Sequence, residues 1–191
     1  VYNSDVTVNL RTNSFEVHRS NTEKFRVTLV DTGVQTRTAG RLKRARPHIG
    51  SEEFLLTYGD GLADVNLGAL IDYHHSHGKI ATVTAVQPAG RFGLLGLEDD
   101  ARVSSFKEKT LGDGGWINGG FFVLKPEVFD YLPENADQLM WEDDPLESLS
   151  RDNQLVAYKH SGFWQCMDAM RDKEILERLW KSGEAPWKLW Q

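Results

Sequence analysis

The sequence predicts an α/β fold built on a mixed sheet flanked by helices, with small antiparallel hairpins attached. Three observations predict it. Phe54 to Tyr58 carries no charge and has the pattern of a strand buried on both faces, and Lys79 to Val86 (KIATVTAV) has the same character. Between them, Leu67, Leu70, Ile71 and Tyr73 recur at a helical spacing. Elsewhere short runs flank turn-rich stretches, as hairpins do. Strands alternating with helices place the chain in the α/β class.

Taken in order, Val6–Val8 and Phe15–His18 flank Arg11-Thr12-Asn13-Ser14 and form a hairpin. Phe25 to Val30 (FRVTLV) reads as a strand ending in Asp31-Thr32-Gly33. Thr38 to Arg44 reads as a helix, around which Arg41, Lys43, Arg44 and Arg46 crowd. These cations form either a solvated helix face or, at a helix N-terminus, an Arg presented to phosphate or base.

The Phe54–Tyr58 run stops at Gly59-Asp60-Gly61, so a carboxylate sits where the strand emerges. In open α/β sheets ligands bind beyond the carboxyl ends of the strands. Asp60, flanked by glycines that admit a bulky ligand, suits a divalent cation carrying phosphates. The plainer alternative has Asp60 opening a turn and Asp64 capping the next helix. That helix, Asn66 to His77, is closed by Gly78. His74, His75 and His77 lack the i,i+4 partner of a helical zinc site, and a last turn favours histidine through the helix dipole.

Beyond the Gly/Pro loop Gln87–Gly93, Leu94–Leu97 and Val103–Phe106 form a hairpin around Glu98-Asp99-Asp100, ending in Lys107-Glu108-Lys109. A Gly-rich loop, Leu111–Gly115, precedes Ile117-Asn118-Gly119-Gly120 and the strand Phe121–Leu124. Pro126 opens a helix carrying Val128, Phe129 and Leu132, and Pro145 opens another at Asp144–Leu149. Leu155–Tyr158 is a strand, and Gly162–Asp168 leads into a last helix with Ile175, Leu176 and Leu179 on one face. The tail Pro186–Trp190 is too aromatic for solvent and is expected to pack on the body or on another subunit.

At 191 residues with 40% hydrophobic and 26% charged content, the chain is one domain able to bury a full core. A net charge of -6 gives no electrostatic case for nucleic acid or an anionic membrane surface. An acidic protein that handles phosphates needs metal ions or locally placed Lys and Arg. Cys166 is the sole cysteine, which excludes an internal disulfide and fits the reducing cytoplasm. No apolar run approaches the roughly 20 residues of a membrane helix. The opening VYNSDVTVNL carries neither a signal-peptide pattern nor an initiator Met, so a fragment of a larger protein is expected.

No Walker A, GxGxxG, HExxH, CxxC or GxSxG run occurs, which disfavours covalent nucleophilic catalysis. What remains is a set of polar residues at strand ends: Asp60, Glu108 with Lys109, Asn118, and Asp168. Two carboxylates can hold Mg²⁺ with help from phosphate oxygens, and a Lys can meet a phosphate as a point charge. Each has a plainer reading, Asp168 as an N-cap and Lys109 as an edge-strand gatekeeper.

Together VTLVDTG, AGRLKR, TYGDGLAD, GRFG, INGGFFVL, GFWQCMDAMRDK and APWK resemble the bacterial glucose-1-phosphate cytidylyltransferases of the sugar nucleotidyltransferase family. The resemblance runs nearly the whole chain, and TYGDGLAD with GFWQ-x-MD is specific in combination. It implies a Rossmann-like, GT-A-like nucleotidyltransferase fold acting on CTP and glucose 1-phosphate. It also implies a Mg²⁺ site at Asp60 and Asp168, with Lys109 completing the catalytic set. Thr36, Arg41 and Gly59 would contact the nucleotide, Glu108 and Lys109 the sugar phosphate, and Asn118 and Gly119 the hexose. The family commonly assembles as a hexamer. Two departures stand out. The family's opening strand and GGxGTR loop have no counterpart here, so about two β-α units, on the order of 60 to 70 residues, are expected to be missing before Val1. Cys166 stands where the family usually has Pro. Competing readings are a uridylyl- or thymidylyltransferase, or a fragment that binds sugar nucleotide and oligomerises without catalysis. A glycosyltransferase is more distant, since Asp60-Gly61-Leu62 is not its Asp-x-Asp motif.

Overall fold

The computed structural model describes residues 5–18, 26–88, 94–97, 102–107 and 115–189. The chain forms two units, residues 1–31 and 32–191.

In the first unit, β1 (Val6–Asn9) and β2 (Ser14–Val17) pair antiparallel as the alternation predicts, with Val6 opposite Val17 and Val8 opposite Phe15. The turn is made by Asn9, whose Oδ1 accepts from the backbone N–H of Arg11 and Thr12 at 3.0 and 3.2 Å, and by Asn13 at φ 50°. Arg26–Val30 is not a strand, contrary to expectation. A strand exists only through a ladder partner, and no described strand pairs with it.

The second unit is built on a sheet that, among the described residues, has the order β3-β8-β5-β9. These are Phe54–Thr57 (β3), Ala81–Val86 (β5), Ile117–Leu124 (β8) and Leu155–His160 (β9). β5 and β9 run parallel, and β8 lies antiparallel between β3 and β5. The sheet is therefore mixed, as predicted, with β3, β5 and β9 all ending at one edge. Alternation along β8 feeds two cores. Phe122 and Leu124 join Ala39, Leu42, Val128, Phe129, Trp141 and Leu149 in one. Val123 joins Val65 and Leu70 in the other. Helices α1 (Thr38–Ile49) and α3 (Asp144–Arg151) thus supply one side of the sheet, and α2 (Leu67–His77) supplies the other.

Three expectations change. β3 is not buried on both faces: it has a single described neighbour, and Leu55 is 48% exposed. The helix opened by Pro126 is 3₁₀, Pro126–Tyr131, followed by a second 3₁₀ turn at Ala136–Gln138. Asp64 does not cap α2; Asn66 does, its Oδ1 accepting from Ala69 N at 3.0 Å.

Two strands escaped sequence reading. β4 (Gly61–Ala63) and β10 (Trp164–Cys166) pair antiparallel, Gly61 opposite Cys166. The expected hairpin is present as β6 (Leu94–Leu97) and β7 (Val103–Lys107). The last helix, α4 (Met170–Ser182), ends at Gly183 in the left-handed region. Past it, Trp187 lies 5.5 Å from Phe163 between ring centroids, so part of the aromatic tail packs on the body. No helix of the described residues is long and apolar enough to cross a membrane.

Candidate functional site at the carboxyl edge of the sheet

The edge where β3, β5 and β9 end also carries the first residues of β8. It gathers Tyr58-Gly59-Asp60 from the end of β3 and Asn118-Gly119 from the start of β8. The link is direct: Tyr58 N donates to Gly120 O at 3.1 Å. Gly120 sits at φ 79°, and a Cβ there would stand 2.8 Å from the Tyr58 ring, so only glycine fits.

The backbone at Asp60 and the backbone just before Asp168, far apart in sequence, meet through the β4–β10 ladder. One step beyond the Gly61–Cys166 pair, Met167 N donates to the Asp60 carbonyl at 2.8 Å, and Asp168 follows. Both aspartates are exposed. The start of α4 is satisfied by Asp172, whose Oδ2 accepts from Ala169 N at 3.1 Å, so Asp168 is not the cap of that helix. The Cys166 thiol donates to Asp168 Oδ2 at 3.2 Å. A hard dication such as Mg²⁺ accepts one or two carboxylates plus phosphate oxygens, and two exposed carboxylates are donors of that type. No group of three or more His, Cys, Asp or Glu side chains able to hold a metal occurs among the described residues.

The remaining expected residues divide. A Cβ on Gly59 would meet nothing within 4 Å, so its backbone faces space a ligand can take. Gly119 has a structural reason of its own: a Cβ there would come within 2.9 Å of Thr84 O on β5. Its carbonyl accepts from Trp164 Nε1 at 2.8 Å, tying β10 to β8. Thr36 is only 8% exposed, wedged beneath Gly33 and Gly40. Arg41 is exposed, but its Nη1 donates to Thr32 Oγ1 at 2.8 Å and its Nη2 to Val34 O at 3.4 Å. Glu108 and Lys109 lie outside the described residues.

The cationic helix is more than a solvated face, and the reading of an Arg presented to phosphate or base rests on the exposed Arg41. Lys43 Nζ donates to Pro133 O at 2.7 Å, Arg44 pairs with Asp137, and Arg46 lies 5.0 Å above the Phe129 ring. These cations fasten α1 to the 3₁₀ segment.

Two side chains at this edge were not singled out from the sequence. The Tyr58 hydroxyl receives Asn118 Nδ2 at 3.1 Å. Burial, and after it the Glu142 carboxylate, push this phenol far above its ordinary range, while Asn118 pulls weakly the other way. Tyr58 stands inside the TYGDGLAD motif and was legible there. Glu142 approaches from a separate segment and left no local signal.

Comparison with known proteins bears on the family and the fold. A nucleotidyl transferase family profile matches residues 3–169. Glucose-1-phosphate cytidylyltransferases of Salmonella typhi and Salmonella typhimurium are 51% identical over 189 residues, which is 98% of this chain and 72% of theirs. Among solved structures, a UDP-glucose pyrophosphorylase complexed with UDP-glucose aligns with a TM-score of 0.57 at 14% identity, over 80% of this chain and 64% of that one, and so shares the fold. The chain belongs to the nucleotidyl transferase family.

Proposed function

We propose that this protein transfers a cytidylyl group from CTP to α-D-glucose 1-phosphate, giving CDP-glucose and pyrophosphate, in the cytoplasm and as a homo-oligomer, a hexamer by likeness to its family. The observation that carries the reading is the 51% identity, over 98% of the chain, to relatives named for that reaction. The gathering of Gly59, Asp60, Asn118 and Asp168 at the carboxyl edge of the sheet supports it.

In this reading an ionised oxygen of glucose 1-phosphate attacks the α-phosphorus of CTP in line, and the bond to the β-phosphate oxygen breaks to release pyrophosphate. No general base is required, because the attacking oxygen carries no proton. Asp60 and Asp168 would hold Mg²⁺, which supplies charge neutralisation at the reacting phosphates. Open backbone at Gly59 lets the nucleotide come close, and Arg41 and Thr36 stand on the same side of the assignment as nucleotide contacts. Asn118, with Gly119, would fix the hexose; Glu108 and Lys109 would hold its phosphate. Positioning and electrostatics carry the acceleration.

The test is pyrophosphate release by the protein expressed from its complete coding sequence, with glucose 1-phosphate and CTP, UTP or dTTP in turn. The expected result is turnover with CTP at least about tenfold above that with the other two. Equal or greater turnover with UTP or dTTP would move the assignment to another base, and none with any would leave a binding protein. Light scattering on the same sample checks the assembly.

A further inference from the structure

We propose that Trp164 is a positioning residue for the hexose subsite: its indole N–H holds the one peptide group that aims Asn118, and so sets that side chain against the β4–β10 ladder. The inference rests on Asn118 being a sugar ligand.

The site lies at a bulge in β8. Phe122 pairs with Val83 of β5 but Asn118 pairs with Ala85, so Gly119, Gly120 and Phe121 all stand opposite Thr84. Bulges of this kind re-aim the side chains beside them, and here the side chain is that of Asn118. Gly120 N can only donate, and it donates to Asn118 Oδ1 at 2.8 Å, which fixes the amide's orientation. Asn118 Nδ2 then donates to Tyr58 Oη at 3.1 Å. What remains to the exposed Asn118 is one amide hydrogen and one carbonyl lone pair, a donor and an acceptor side by side. That pair suits adjacent hydroxyls of a sugar.

The Gly120 N–H belongs to the same planar peptide as the Gly119 carbonyl, so whatever holds one end holds the other. Gly119 is buried, and its carbonyl accepts from Trp164 Nε1 at 2.8 Å. An indole nitrogen is a donor only, so the direction of this bond is fixed. β8 runs close against β5 here, and β4 closes on the same point: a Cβ on Gly61 would lie 3.9 Å from both Gly119 O and Trp164 Nε1. Among the described residues β4 and β10 pair only with each other, and a ladder of two three-residue strands is marginal by itself. The indole is therefore a cross-tie between that ladder and the four-stranded sheet. Without it a buried carbonyl loses its donor, the peptide turns to find another, and the N–H that orients Asn118 turns with it.

The test compares affinity for CDP-glucose with affinity for CDP, by calorimetry on the protein expressed from its complete coding sequence, since the ratio isolates the hexose. Trp164→Phe keeps an aromatic ring and removes the donor; it should lower the ratio about tenfold with CDP binding unchanged within about twofold. Trp164→His gives up bulk but keeps a ring N–H two bonds from the attachment point, as in indole, and should stay within about threefold of the parent. Trp164→Phe combined with Asn118→Ala should be no worse than Asn118→Ala alone. A tenfold loss in Trp164→His with Trp164→Phe tolerated would make packing the whole of the indole's role and overturn the proposal. Additive losses, or an unchanged ratio in Trp164→Phe while Asn118→Ala lowers it, would also overturn the positioning role and leave Asn118 as a ligand. An unchanged ratio in Asn118→Ala would overturn both. If Trp164→Phe does not fold, Trp164→His keeps the test decisive, since a tenfold loss with the donor in place would by itself overturn the proposal.

Discussion

At the scale of single residues, His74 is the side chain whose environment departs furthest from what its sequence neighbours suggest. It is fully buried, and its Nδ1 lies 2.7 Å from Thr82 Oγ1. His77 reaches the same hydroxyl through Nε2 at 2.8 Å, while its Nδ1 accepts from Lys79 N at 3.0 Å. His77 must then donate to Thr82, Thr82 must donate to His74 Nδ1, and His74 carries its hydrogen on Nε2, 3.2 Å from Glu53 Oε2. Both imidazoles are held neutral. Burial lowers each below its ordinary value; Lys125 and Lys79 reinforce this at His77, and at His74 the pull of Glu53 is outweighed. The sign follows: below about pH 6.5 the unfolded chain binds protons that the folded one refuses, so stability falls as pH drops from there. Urea midpoints measured between pH 7.5 and about 5 should show that fall. His74→Gln should flatten it at a cost of about 1–3 kcal/mol near neutrality. Parallel curves for the two proteins would mean that His74 is not a source of the slope.

At the scale of elements, β3 separates what is local in a sequence from what is not. The apolar run Phe54–Leu56 announces a strand, but a run cannot say whether one face or two will be covered. Phe54 and Leu56 pack on the larger core while Leu55 lies 48% exposed. Leu55→Ser should therefore shift stability by only about 0.5 kcal/mol, whereas Leu56→Ser should cost about 2 kcal/mol or more, read from chemical denaturation. Similar losses at both would restore the two-faced strand. The same division runs through the chain. The hairpins, the helices opened by Asn66 and Pro145, and the long strand through Phe121–Leu124 were legible because alternation, helical period and caps are written in neighbouring residues. β4 and β10, three residues each, exist only because they find each other across a hundred positions. The partners of Lys43, Arg44 and Arg46 on α1 were hidden for the same reason, since Pro133, Asp137 and Phe129 are remote from it. At the candidate site, Asp60 and Asp168 could be named from motifs, but the bond from Asn118 to the Tyr58 hydroxyl could not.

At the scale of the whole molecule, charge sets the terms. In the proposed reaction a protein of net charge -6 binds two polyanionic substrates and must offset repulsion where they meet, and Asp60 and Asp168 are the carboxylates proposed to stand there. The β4–β10 ladder sets Met167 N on the Asp60 carbonyl, one residue before Asp168, and in the proposed reading a dication held by the two carboxylates would turn a repulsive edge into an attractive one. Chelation with EDTA should accordingly abolish pyrophosphate release by the protein expressed from its complete coding sequence, and added Mg²⁺ should restore it. Asp60→Asn and Asp168→Asn should each lower turnover about a hundredfold or more and raise the Mg²⁺ needed for half-maximal rate. Their melting temperatures should stay near that of the parent, because the contact joining the two positions uses the Asp60 carbonyl and Met167 N, not the carboxylates. The double variant should be little worse than either single one, since one ion is lost only once. Turnover that survives EDTA, or losses that multiply, would mean that the two carboxylates do separate work, and the shared-ion reading of this edge would have to be abandoned.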